Sequence, residues 1–314
     1  MDPSEVKLGP LRISTMVVTA HLGTTLNLQN LLDTFHEAAI PLTWPEEGFL
    51  KVEYKPILEP PPDASKDELH ALKLRAKLQE KCIVGTCSRD ELTKRKKSKN
   101  IFFNQSTLVV RRQCGTCPKG LPIFKEVNIK LFKNGGIQMT GIPTDSFAQD
   151  TLAWLAKQLQ VFSKPVLDTP PAPHRYTIQL INSDYQVNGS IHREKLHEIL
   201  VSEYNLFSSF ESTIYQGCDT KYFYNEAAKD VPDSIEGVCP CGETLCTGTG
   251  DGRSLGSCKE ITISPFHTGS IIITGARRFE QIEKAYTFIN KILVKHSKEI
   301  LKPFPVKQSK KIEA

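Results

Sequence analysis

No stretch of this chain approaches the unbroken apolar length needed to cross a bilayer. Its first residues, MDPSEVKLGPLRISTM, have neither a basic start nor an apolar centre, so they do not read as a secretory leader. The expectation is an intracellular protein without a membrane partner, in a reducing compartment. Nine cysteines are expected there as thiols or metal ligands rather than as disulfides. Two catalytic signatures are missing as well: no P-loop or H-E-x-x-H occurs. GTGDG, Gly248–Gly252, follows no predicted strand and opens no helix, so it reads as loop rather than as a phosphate cradle.

Charge of one sign is not in large excess. A formal net charge of +5 and a pI near 8.6 permit a polyanionic partner without selecting one. The basic surplus is local, in KRKKSK (Lys94–Lys99) and KQSKK (Lys307–Lys311). Such runs read as solvated loop, nucleic-acid contact or nuclear import signal. With 314 residues, 39% of them hydrophobic, the chain can bury a full core in one or two domains.

What the chain does have is a frame built twice. NIKLFKNGGIQMTG (128–141) and TISPFHTGSIIITG (262–275) share Ile-x-x-Phe-x-x-Gly-x-Ile-x-x-Thr-Gly at an offset of 134. Downstream the offset holds, with Leu152, Leu155 and Leu159 opposite Tyr286, Ile289 and Leu293. Those positions have helical spacing, so each half reads strand, Gly turn, strand, amphipathic helix. Upstream, RISTMVVTAHLGTTLNLQNLLDTF and RYTIQLINSDYQVNGSIHREKLHEIL both read strand, turn, helix, with Leu31 opposite Leu196. NIFFNQS (Asn100–Ser106) and KYFYNEA (Lys221–Ala227) are matched as a further shared strand.

The boundaries follow. Repeat one spans 11–162, with an insertion at about 58–99 that holds a charged helix, KDELHALKLRAKLQEK. A linker at 163–175, SKPVLDTPPAPHR, carries four prolines that forbid helix continuation. Repeat two spans 176–296 with a Cys/Gly-rich insertion at about 230–257, and a basic tail occupies 297–314.

LGTTLNLQNL, NLFSSFESTIYQG (Asn205–Gly217) and the two F-x-x-G-x-I-x-x-T-G hairpins together resemble the TATA-box-binding protein family. The resemblance covers most of the chain outside the insertions, which look like those of versions carried by large DNA viruses of eukaryotes. It implies an α+β fold, a pseudo-twofold saddle whose two repeats share one curved antiparallel sheet with helices on the convex face. It also implies a transcription initiation factor without catalytic activity, which binds and bends the minor groove of promoter double-stranded DNA and recruits initiation factors or RNA polymerase subunits. Its place would be the nucleus or a viral replication site, or packaged in the virion.

Proteins of this kind drive aromatic wedges between base steps at each end of the sheet. Residue by residue, the wedges fall on Phe132, Phe266 and Tyr215, the last where the family usually has Phe. The fourth is Phe102 by the internal repeat, with Phe103, or Phe49 in EEGFLKVEY, as alternatives. Strand alternation gives the concave positions Thr15, Val17, Thr19, Gln138, Thr140, Asn182, Ile272 and Thr274, beside Leu180 and Asp184. The family carries Asn at the positions of Thr15 and Leu180, so a TATA preference is not implied here, and Asp184 adds an unhelpful negative charge. A partner-binding stirrup matches Glu211 and Ile214, with Thr213 in place of an acidic residue.

Two further readings stay open. Cys239, Cys241, Cys246 and Cys258 form C-x-C-x4-C-x11-C, which suits a tetrahedral structural zinc, with free thiols or a disulfide as the alternatives. Cys114 and Cys117 with Cys82 and Cys87 would make a second set. A remote enzymatic alternative is a zinc nucleobase deaminase, with His192, Cys241 and Cys246 on the metal and Glu194 as proton shuttle. The other is a saddle that has lost promoter specificity and serves interaction or DNA packaging.

Overall fold

The computed structural model describes residues 1–37, 46–55, 62–78, 82–85, 104–228, 235–242 and 246–304. The chain forms two units, one of Met16–Ile178 and the other of Met1–Thr15 with Gln179–Ala314. No helix among the described residues is long and apolar enough to cross a membrane.

The first unit is built from β1 (Arg12–His21), α1 (Leu28–Glu37), β2 (Gly48–Tyr54), α2 (Lys66–Leu78), β3 (Cys82–Gly85), β4 (Gln105–Thr116), β5 (Pro122–Phe132), β6 (Gly136–Ile142) and α3 (Asp145–Gln160). Its strands are antiparallel in the order β3-β2-β4-β5-β6-β1. Period-two alternation divides each strand between two faces. Met16, Val18, Ile129, Leu131, Ile137 and Met139 are buried. Leu31, Leu32 and Phe35 of α1 and Leu152, Leu155 and Leu159 of α3 are buried with them, so each helix turns one apolar stripe inward. Thr144 caps α3, its Oγ1 accepting from Phe147 N at 3.2 Å.

The second unit follows with β7 (His174–Gln186), β8 (Gly189–Ile191), α4 (Arg193–Ser202), β9 (Phe207–Ser209), β10 (Asp219–Tyr224), β11 (Lys259–Pro265), β12 (Ser270–Ala276), α5 (Phe279–Lys295), α6 (Ser297–Ile300) and β13 (Leu301–Pro303). Its strand order is β7-β12-β11-β10-β9, again antiparallel. Ile181, Ile261, Ile263, Ile271 and Ile273 are buried, as are Leu196 of α4 and Ile289 and Leu293 of α5. Both units are thus α+β, each an antiparallel sheet with helices.

The doubled frame has a local cause. Gly135 and Gly269 turn the two hairpins at φ of +91° and +78°. A Cβ there would lie 2.0 Å from Thr24 O and 2.4 Å from Gly189 O, so both the backbone region and the neighbouring chain demand glycine. The two ladders keep the offset of 134: Ile129 faces Met139 as Ile263 faces Ile273. The register shifts of β1 against β6 and of β7 against β12 both fall beside the Thr-Gly pairs.

Sequence matching fails at β4. Leu108 faces Ile129 while Thr220 faces Ile263, an offset of 112 between β4 and β10. NIFFNQS and KYFYNEA are therefore out of register by nine residues; two short aromatic segments ending in Asn matched by composition alone.

The Pro-rich segment is not a free tether. Asn27 N donates to Val166 O at 2.8 Å and Ala172 N to Leu22 O at 2.7 Å, binding it to the turn after β1. In the second unit Gly9 N donates to Gln186 O at 2.8 Å, and the N-terminal amine to Leu301 O at 3.2 Å, so the first residues clasp that unit. The segment expected as a basic tail begins instead with α6 and with β13, which pairs with β8. Lys307–Lys311 lie outside the described residues, as does the run Lys94–Lys99.

Candidate nucleic-acid interface

The sheet positions that alternate with the buried ones form an open face in each unit. In the first, the ladders align Val17, Thr140, Asn128, Val109 and Lys51 in one row and Thr19, Gln138, Lys130, Thr107 and Glu53 in the next. These side chains are half-buried apart from Val109 and Lys51, which are buried; Lys51 pairs with Glu53 at 2.5 Å. In the second unit Asp184, Ile272 and Ser264 align, and beside them Thr274, Thr262, Lys221 and Phe207. Asn182 and Leu180 lie on the same side of β7 as Asp184.

Each hairpin ends this face with an aromatic. Phe132 is the last residue of β5, on the side of Asn128 and Lys130, and is half-buried. Phe266 follows β11 on the side of Thr262 and Ser264. Tyr215, 43% exposed, meets Phe266 edge to face with ring centroids 5.7 Å apart and planes at 72°. Gly217 opposite Phe266 permits the contact, since a Cβ there would sit 2.5 Å from the Tyr215 ring.

Three charges on the second face are already engaged. Arg12 forks onto Asp184 through Nε and Nη2, both at 2.9 Å, which offsets the negative charge that the sequence placed there. Lys221 Nζ lies 3.1 Å from Glu260 and donates to Thr262 Oγ1 at 2.9 Å. Asp219 accepts from Ser264 Oγ at 2.5 Å. Asn182 Oδ1 is buried and has no partner among the described residues.

Beside the Tyr215–Phe266 contact, the loop from Glu211 to Gln216 is exposed. Ile214 is 85% exposed, and Glu211 O accepts from Ile214 N and Tyr215 N, a single turn that pushes Ile214 outward. Thr213 Oγ1 donates to Glu211 Oε1 at 2.7 Å. Arg193 stacks on Phe210 at 4.9 Å and holds the Gln216 carbonyl, anchoring the loop to the start of α4.

Comparison with known proteins gives one decisive relative. The TATA-box-binding protein-like protein of Acanthamoeba polyphaga mimivirus is 30% identical over 230 residues, covering 69% of this chain and 54% of its own length. The chain belongs to the TATA-box-binding-protein-like family. It spans about half the length of the curated relative it matches. No family model matches. Methanococcus jannaschii TBP superposes with a TM-score of 0.42 at 12% identity, over 91% of this chain and 98% of its own.

In this TBP-like chain several positions went unnoticed in the sequence. Asn128, Lys130, Thr107 and Val109 share the first open face, and Thr262, Ser264, Lys221 and Phe207 the second. The signal was present in VNIKLF, where Val127, Ile129 and Leu131 alternate with the face residues.

The wedge alternative at Phe49 is corrected. Phe49 is buried, in ring contact with Phe35 at 5.0 Å, Trp154 at 5.1 Å and Phe162 at 5.6 Å, and it is core rather than wedge. A shift in the β2 register beside it, between Phe49 and Lys51, turns Phe49 to the inner face. Phe102 and Phe103 lie outside the described residues; at the offset of 112, the sequence counterpart of Tyr215 is Phe103.

The deaminase grouping is also corrected. His192 caps α4, its Nδ1 accepting from Lys195 N at 3.2 Å, and Glu194 lies exposed in the first turn. Cys241 and Cys246 gather with Cys239 and Cys258 instead, all four sulfurs within 4.8 Å of one another. Although desolvation raises the Cys246 thiol, N–H donors from Gly248 and Cys258 hold it down to about 7, while burial pushes Cys258 up. Cys114 and Cys117 are half-buried free thiols; Cys87 and the Cys82 side chain lie outside the described set.

Proposed function

We propose that this chain is a DNA-binding transcription initiation protein, which lays the open face of each unit on the minor groove of a promoter and kinks it with aromatic wedges. The half-exposed Tyr215–Phe266 pair at the hairpin end of the second face carries this reading, because a wedge must be packed from behind and free at its tip. Phe132 with Phe103 would act at the other hairpin. The protein catalyses no reaction in this reading. Ile214 and Glu211 would dock an initiation factor or a polymerase subunit, since the exposed loop presents an apolar tip beside a carboxylate.

A second reading is favoured by one observation. Thr15 and Leu180 offer no amide donor to minor-groove acceptors. On that reading the face bends DNA without preferring A/T pairs. Gel-shift competition between A/T-rich and G/C-rich duplexes at fixed salt separates the two: a preference for A/T supports promoter recognition, and equal competition supports the architectural role.

A further inference from the structure

The second insertion has little core of its own. Ile235 and Leu255 are 43% and 62% exposed, whereas Cys241 and Cys258 are buried. The interior of this loop is therefore a cluster of sulfur. Cys258 Sγ lies 3.3 Å from Cys241 Sγ and 3.7 Å from Cys239 Sγ, and Cys246 completes a group within 4.8 Å. A zinc ion with sulfur ligands at about 2.3 Å in a tetrahedron sets its sulfurs about 3.8 Å apart. Sub-ångström adjustments bring these four to that geometry.

Two N–H donors point at sulfurs of the cluster. Gly256 N donates to Cys241 Sγ at 3.1 Å and Asn225 Nδ2 to Cys258 Sγ at 3.2 Å. Neutral thiols gain little from such N–H donors, whereas metal-bound thiolates are oriented and stabilised by them. Asn225 also donates to Ser254 O at 2.8 Å, so one side chain ties the end of β10, the far side of the loop and a ligand sulfur together.

We propose that Cys239, Cys241, Cys246 and Cys258 bind one structural zinc ion, which replaces a hydrophobic core in this insertion and pins it against the sheet. All four positions are filled by protein, so the ion would be closed to substrate and without catalytic function. Its mechanical reach is short. Cys258 directly precedes β11, Glu260 N donates to Gly248 O at 2.7 Å, and Gly248 packs against the Phe223 ring and the Glu260 side chain. Those two residues share the open side of the sheet with Lys221 and Thr262, so the metal fixes a lip at the outer end of that face.

The full-length chain, purified with reductant and without added metal, is analysed by elemental mass spectrometry. The expected result is one zinc per chain, lost in Cys241→Ser/Cys258→Ser and retained in Cys114→Ser/Cys117→Ser. Because the buried double variant can fail to fold, Cys246→His and Cys246→Ser are measured beside it. Imidazole should keep the zinc and hydroxyl should lose or weaken it, with circular dichroism reporting the fold of each. Cobalt exchange should give the visible bands of a tetrahedral thiolate site. Absence of zinc from a folded wild type with all four thiols titratable, a Cys239–Cys258 or Cys241–Cys258 disulfide, or undiminished zinc in both Cys246→Ser and the double variant would each overturn the assignment. None of these readouts depends on DNA binding.

Discussion

Truncating Phe266 to alanine separates the wedge from the fold. A fully buried Phe→Ala change costs about 3–5 kcal/mol, and Phe266 is only half-buried, so its share is about 2 kcal/mol, including an edge-to-face contact of about 0.5–1.5 kcal/mol with Tyr215. Domains of ordinary stability, about 5–15 kcal/mol, survive that loss. On DNA the loss is different in kind: without the ring, nothing offsets the few kcal/mol that unstacking a base step costs, and that kink should vanish. Fluorescence energy transfer across end-labelled A/T-rich duplexes reads this directly. Phe266→Ala should remove roughly half of the wild-type change in transfer, and Phe132→Ala/Phe266→Ala should leave the value of free DNA. Phe103→Ala should act like Tyr215→Ala at the opposite end, and Phe102→Ala should have little effect. A folded wild type that leaves the duplex straight, or a double variant that bends it fully, would refute the wedge assignment.

Three other outcomes follow from named geometry. Gly269→Ala and Gly135→Ala should each destabilise by well over the roughly 1–2 kcal/mol of a left-handed residue, because a carbonyl lies 2.4 Å or 2.0 Å from the new Cβ; Gly120→Ala, at φ +78° with nothing within 4 Å, should show that backbone term alone in urea unfolding. Lys130→Ala should weaken binding to all duplexes alike and reduce the salt slope by about one, while Lys221→Ala should change the slope less, since Glu260 already neutralises that ammonium. Asp184→Asn should tighten DNA binding in titrations at low salt and cost under about 1 kcal/mol of stability, because its Arg12 partner is largely exposed.

Much of the fold was legible because two periodicities coincide. The hairpin frame carries glycines that no other residue replaces, and the helices after it repeat their apolar spacing at the same offset of 134. Alternation in β1, β6 and β12 separated face from core without reference to tertiary structure. The offset broke at β4 because the Cys/Gly-rich insertion separates β10 from β11 where a short turn joins β4 to β5, and short aromatic segments then matched by composition instead of by register. Phe49 misled for a related reason: a strand-entry aromatic looks the same whichever face it takes, and a one-residue register shift decides it. Ion pairs such as Arg12–Asp184 join residues 172 apart, which no local pattern reveals. The cysteine spacing suggested a metal, but only the fold shows Cys258 beside β11 rather than in a detached loop.

The faces of the two units repeat in geometry but not in chemistry, and that difference gives a bound duplex a direction. Thr19, Gln138, Lys130 and Thr107 of the first correspond by ladder register to Asp184, Ile272, Ser264 and Asp219 of the second. One row presents a lysine among neutral side chains, with Glu53 at its end paired to Lys51; the other carries two carboxylates, tempered by Arg12 and Ser264. In the proposed complex the phosphates beside the first row meet an attractive charge and those beside the second meet a nearly cancelled one. Identical faces would accept a pseudo-palindromic site in either orientation. Faces that differ in this way favour one orientation by the charge difference, most strongly at low salt where exposed charges are least screened. If the bias arises here, Lys130→Ser together with Asp184→Thr should erase it. Cleavage by a reagent tethered to an engineered cysteine on the exposed Lys125 would then appear equally at both ends of the duplex, instead of at one.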